Sequence, residues 1–113
     1  MHVIHHAALP RHADAGCSTR TVAGASVCPA PFVVRTVAID PGACTAAPAA
    51  ADALVVIALD GTGKLLVGGA PQRFHAPCTL IVPAGASHRV VNHGATPLQL
   101  VCVHATGTRP DIP

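Results

Sequence analysis

Eight histidines, five cysteines and five aspartates, with no glutamate anywhere, supply nearly all the reactive side chains of this 113-residue sequence. An imidazole can ligate a metal, pass a proton near neutral pH or hydrogen-bond an anion, so the placing of the histidines decides which chemistries are open. His88 opens the β-branched segment HRVVN, and His104 closes the segment LQLVCVH. With period-2 alternation Leu98, Leu100, Cys102 and His104 share one strand face, while Val101 and Val103 make the opposite face apolar too, so either face can be the inner one. Arg35 is the only charge at a strand centre and is either an anion anchor inside the fold or a solvent-facing residue. His75 and His93 fall at strand ends, the place of a rim or turn. His2, His5 and His6 cluster near the N-terminus, with His12 beyond a Pro-Arg turn; on a strand His5 and His6 face opposite ways and cannot chelate one ion. That end offers at most an adventitious nickel or zinc site.

Other chemistries find less support. No serine stands in a G-x-S-x-G setting, and Ser87, although next to His88, faces away from it on a strand. Cys17, Cys28, Cys44, Cys78 and Cys102 are odd in number, lack C-x-x-C spacing and sit mostly in apolar stretches, which fits reduced, buried thiols. GTGKLL does not meet the phosphate-loop pattern and reads as a hairpin turn. Asp14, Asp40, Asp52, Asp60 and Asp111 lie in expected turns.

The elements that must hold these residues are short β-branched runs cut by Gly and Pro, the pattern of a sandwich or barrel. Strands are expected at residues 2–6, 19–24, 32–39, 54–59, 64–68, 72–75, 79–82, 88–92 and 98–104. Asp60-Gly61, Gly68-Gly69 and Asn92-His93-Gly94 are turn signals. The alanines between Ala46 and Ala53, with Pro48 among them, allow a single helical turn before Val55, Val56 and Ile57 restore strand preference.

Residues 83–92, PAGASHRVVN, match the pattern P-x-G-x-x-H-x-x-x-N throughout and resemble the second motif of the cupin superfamily. The glycine that the family places before this motif is replaced by Pro77. The first cupin motif, G-x5-H-x-H-x3-E-x6-G, lies on the sequence without gaps, with Gly42 and Gly61 as its framing glycines; its two histidines are replaced by Pro48 and Ala50 and its glutamate by Leu54. PGACT, LDGTGKLLVGG and TPLQLVCVHA resemble the small single-domain, quercetin-dioxygenase-like (RmlC-like) cupins, over about residues 32–104.

The resemblance implies an all-β cupin double-stranded β-helix, a jelly-roll barrel of two antiparallel sheets, in one domain spanning residues 1–113. It further implies that His88 points into the barrel and is the one retained metal ligand; His104, if its strand face lines the barrel, is a candidate second. Pro, Ala and Leu offer no side-chain donor, so the cofactor is expected to be none or a weakly bound divalent metal (Zn, Ni, Fe or Mn). The preferred reading is a non-catalytic, small-molecule-binding module with His88, His104 and Arg35 in the barrel interior. The alternative is a metal-dependent dioxygenase, isomerase or lyase using a non-standard ligand set around His88.

Composition narrows the partners. Seven Lys and Arg spread along the chain form no basic stripe in the sequence, and the absence of Trp and Tyr removes stacking platforms, so nucleic acid is not expected. The longest apolar run, residues 53–59, falls well below the roughly 20 residues of a membrane helix, and no signal-peptide core is present, so a cytoplasmic, non-membrane protein is expected. Half the residues are hydrophobic and only 11% are charged, which favours a homodimer that covers part of the surface.

Overall fold

The structure, a computed structural model, describes residues 3–23, 32–47 and 53–105. Ten strands form: β1 (His12–Asp14), β2 (Cys17–Ala23), β3 (Phe32–Ile39), β4 (Cys44–Ala47), β5 (Leu54–Asp60), β6 (Thr62–Val67), β7 (Ala70–His75), β8 (Cys78–Val82), β9 (His88–Asn92) and β10 (Leu98–Ala105). They make a six-stranded sheet in the order β1-β2-β3-β10-β5-β8 and a four-stranded sheet in the order β4-β9-β6-β7. Every pairing is antiparallel, as the jelly-roll expectation requires. No helix of the described residues is long and apolar enough to cross a membrane.

Alternation along each strand supplies the core. Ile39, Val56, Ala58, Leu65, Val82, Val90, Leu98 and Leu100 are buried together between the sheets. On β10 the buried residues are Leu98 and Leu100, so the face continuing to Cys102 and His104 is the inner one, and Val101 and Val103 look outward. Register then carries the inner face sideways: Cys102 lies opposite Arg35 on β3 and Val56 on β5, while His104 lies opposite Val33 and Leu54.

The framing glycines both sit at turns with positive φ, Gly42 at +82° and Gly61 at +104°. At Gly61 a Cβ would come within 3.0 Å of the Leu98 backbone, so a side chain is excluded as well as strained. Gly61 joins β5 in one sheet to β6 in the other, so Asp60-Gly61 is a crossing between sheets and not the hairpin expected. Gly68 (φ +59°) and Gly69 (φ +85°) do form the two-residue β6–β7 hairpin, with Val67 opposite Ala70.

Asn92 fastens the return from β9 to β10. It is buried; its Nδ2 donates to Ile39 O (2.8 Å) and Thr96 O (2.9 Å), and its Oδ1 accepts from Gly94 N (2.8 Å). The end of β3 is thereby tied to the other sheet.

The expected N-terminal strand also needs correction. Residues 3–5 are not a strand, and His6–Ala8 form a 3-10 turn closed by Ala8 N–H to His5 O and Leu9 N–H to His6 O, both 3.0 Å. Small residues accept that turn, and Pro10 has no amide N–H with which to join a sheet. The alanine patch starts as strand, because Cys44–Ala47 finds β9 as partner, from Cys44 opposite Val91 to Ala47 opposite His88. At Ala46 and Ala47 sheet pairing overrides the high helix propensity of alanine, while the turn that Pro48 would open falls outside the described residues. Residues 48–52, with Pro48, Ala50 and Asp52, lie outside the described residues, as do His2 and Cys28.

Candidate functional site

One end of the interior gathers the candidate residues. β8 ends at Val82, level with Leu54 of β5; residues 83–87 then cross to the other sheet, where β9 begins with His88. Gly85 makes that crossing at φ +80°. Leu54 also lies opposite His104. His88, Leu54, His104 and Arg35 therefore belong to the same end of the barrel, contributed by four strands of both sheets.

Arg35 points inward, and its Nη1 donates to Nε2 of His104 at 3.0 Å. A guanidinium has no acceptor, so the imidazole accepts at Nε2 and carries its proton on Nδ1. Of the two placements left open for Arg35, the inward one is observed. Beneath this pair the Cys102 thiol is pushed up to about 11 by burial, with the Arg35 charge pulling the other way. Across the interior His88 is half-buried; its Nδ1 is buried with no hydrogen-bond partner, and burial lowers its pKa below the ordinary 6.5. The strands lining this end, β3, β5, β8, β9 and β10, carry a single acid, Asp60, at the far end of β5. The interior thus presents a donor fork and imidazoles against apolar walls.

This donor set does not fit the metal of the resembled motif. A leucine stands on the inner face at the carboxylate position, and the Nε2 lone pair of His104 is occupied by a guanidinium whose charge would repel a cation. Among the described residues no group of three or more His, Cys, Asp or Glu could hold a metal ion. The free thiols of Cys17, Cys44, Cys78 and Cys102 belong to no such group, and Cys44 is exposed, contrary to the buried thiols expected.

The remaining histidines lie elsewhere. His5, His6 and His12 are exposed near the N-terminus. His75 and His93 are exposed at the opposite end of the barrel from His88, where with Thr62, Gly63, Arg73 and Phe74 they line an open cleft of about 360 Å³. The rim or turn position expected for His75 and His93 is the one observed; what the sequence did not show is that they meet Arg73 in one cleft.

A family model described as a cupin domain matches residues 35–104. Among curated proteins none matches the sequence. Solved structures share the fold at low identity. A predicted oxalate decarboxylase from Thermotoga maritima superposes with a TM-score of 0.83 at 14% identity, covering 92% of this chain and 98% of that one. The polyketide cyclase RemF from Streptomyces resistomycificus gives 0.81 at 15%, covering 97% and 82%. A conserved barrel domain protein from Salinispora arenicola gives 0.76 at 23%, covering 95% and 88%.

Proposed function

The chain belongs to the cupin family, and from that premise we propose that it is a non-catalytic binding module whose barrel interior takes a small organic acid in place of a metal. The observation that carries this reading is the Arg35–His104 hydrogen bond inside the barrel, at an end whose strands supply no carboxylate. In a metal-binding cupin the central positive charge is the cation; here the guanidinium provides it, and a planar fork suits a carboxylate bidentately. Bound acid would take two N–H donors from Arg35, with His104 holding the guanidinium in plane. His88, kept neutral by burial, offers an unpartnered nitrogen to a polar atom of the ligand. Leu54, Val56 and Val82 would pack the apolar body.

The test is calorimetric titration with small carboxylic acids and their matching primary amides. Saturable binding of acids but not amides supports the reading; equal binding of both overturns it. The second reading, a metal-dependent enzyme built on His88, rests on that unpartnered Nδ1 and is checked by metal analysis of untagged protein. Stoichiometric Zn, Ni, Fe or Mn that disappears in His88→Ala would favour it over the binding module.

Support for a homodimer comes from the outer face of the six-stranded sheet, where Ile81 on β8 is 61% exposed, Ile57 stands on the neighbouring β5 and Phe32 lies beyond β10 on β3, with no charge on the outward positions between them. A second copy covering that face would remove it from water.

A further inference from the structure

We propose a second ligand site, on the outside of the barrel: the cleft of Thr62, Arg73, His75 and His93 binds the phosphoryl group of a small phosphorylated molecule. Register places the charges. Lys64 of β6 lies directly opposite Arg73 of β7, and Leu66 opposite Arg89 of β9, so three of the seven Lys and Arg occupy the outer face of the four-stranded sheet. Residues spaced far apart in the chain thus form a basic patch.

Two observations set the charge of this face among the described strands. None of β4, β6, β7 and β9 contains an aspartate or glutamate; the nearest acid in sequence, Asp60, lies two residues before Thr62, at the end of β5 in the other sheet. Lys64 and Arg73 also form a directly opposed like-charge pair, which destabilises a sheet unless an anion lies between or above the two. The donors needed for an oxyanion stand beside that pair. His75 lies opposite Thr62 across the β6–β7 ladder. A Cβ on Gly94 would sit 2.8 Å from the Thr62 hydroxyl, so the turn carrying His93 passes against Thr62. A guanidinium fork, a hydroxyl and two imidazoles converging on one cleft match the several acceptor oxygens of a phosphoryl group, which carries close to two charges.

The cleft of about 360 Å³ is many times the roughly 30 Å³ share of a water molecule and leaves room for an organic body beside the phosphoryl group. His88 opens β9 and His93 follows its last residue, five positions on, about 17 Å at the rise of an extended strand. The site is therefore separate from the barrel interior, and its test does not depend on the interior's ligand.

The experiment is a titration of isotope-labelled protein, followed by amide shifts and by melting temperature, with inorganic phosphate and with glycerol 3-phosphate, each against chloride at matched ionic strength. Saturable shifts centred on Thr62, His75 and His93, tighter for glycerol 3-phosphate than for inorganic phosphate, are the expected result. Equal affinity for the two assigns the site to free phosphate and overturns the organic-ligand part; shifts that chloride reproduces, an adventitious ion only, overturn the whole. Arg73→Gln should weaken binding at least tenfold, and Lys64→Gln should weaken it while leaving the ligand-free melting temperature unchanged or higher. Unaltered affinity in Arg73→Gln is equally fatal.

Discussion

Arg35→Met should change binding and stability in opposite directions. Met nearly matches the length of the Arg stem but carries neither charge nor donor fork, so a carboxylate in the interior loses its anchor. Removing one partner of a desolvated, hydrogen-bonded charge pair costs about 2–5 kcal/mol of affinity. Arg35 is half-buried, so the lower part of that range applies; about 2–3 kcal/mol is a loss of roughly 30- to 150-fold in Kd at 1.4 kcal/mol per tenfold. Without ligand the comparison reverses. The wild type holds a guanidinium against a neutral imidazole and apolar walls, and replacing a poorly compensated charge by a hydrophobic side chain is neutral or stabilising. A gain of about 1 kcal/mol would raise the melting temperature of a chain this size by roughly 4 °C. Cys102 supplies a third readout. Its thiol loses the one charge that opposes burial, so its pKa should rise above the present value of about 11 and its alkylation at fixed pH should slow. Calorimetry with the tightest carboxylate found, a melting curve and an iodoacetamide rate complete the set. A Kd within threefold of wild type, or a variant clearly less stable than wild type, would refute the assignment of Arg35 as an anion anchor.

Asn92→Ala removes three hydrogen bonds and leaves the buried Ile39 carbonyl without its side-chain donor, which should cost about 2–4 kcal/mol in denaturant unfolding. Because burial lowers the pKa of His88, the unfolded chain takes up this proton before the folded chain does. The contribution of neutral His88 to stability is complete above pH 6.5 and is lost as pH falls from there toward the lower folded value, and His88→Leu should flatten that slope in melts at successive pH values. Ile81→Lys places a charge on the apolar outer face at the β8 edge and, on the homodimer proposal, should shift the protein to monomer in light scattering while leaving carboxylate affinity intact.

Much of the barrel was legible because a turn chemistry and a strand pattern agreed. PAGASHRVVN contained both the crossing turn at Gly85 and the alternation that sends His88 inward, and the spacing of Gly42 and Gly61 set the register that puts Leu54 beside His104. Strands flanked by alanine were harder, since β4 exists only through its pairing with β9. The Arg35–His104 bond was illegible for a different reason. The two residues are 69 apart, and β10 is apolar on both faces, so alternation alone could not choose between them. Long-range register made that choice: once Leu98 and Leu100 are buried against Ile39 and Ala58, His104 has to face Arg35. The basic face was missed because cations scattered through the sequence become neighbours only when three strands pair.

β10, the final strand of the described chain, lies in the interior of its sheet, between β3 and β5. The β1-β2-β3 block and the β5-β8 pair are bonded to one another only through it. During synthesis both blocks emerge before the strand that joins them, each exposing a ladder edge with no partner. The chain must therefore keep two adhesive edges apart until residues 98–105 arrive, and a nascent chain stalled before that point would carry the strand-pairing hazard that the finished barrel has removed.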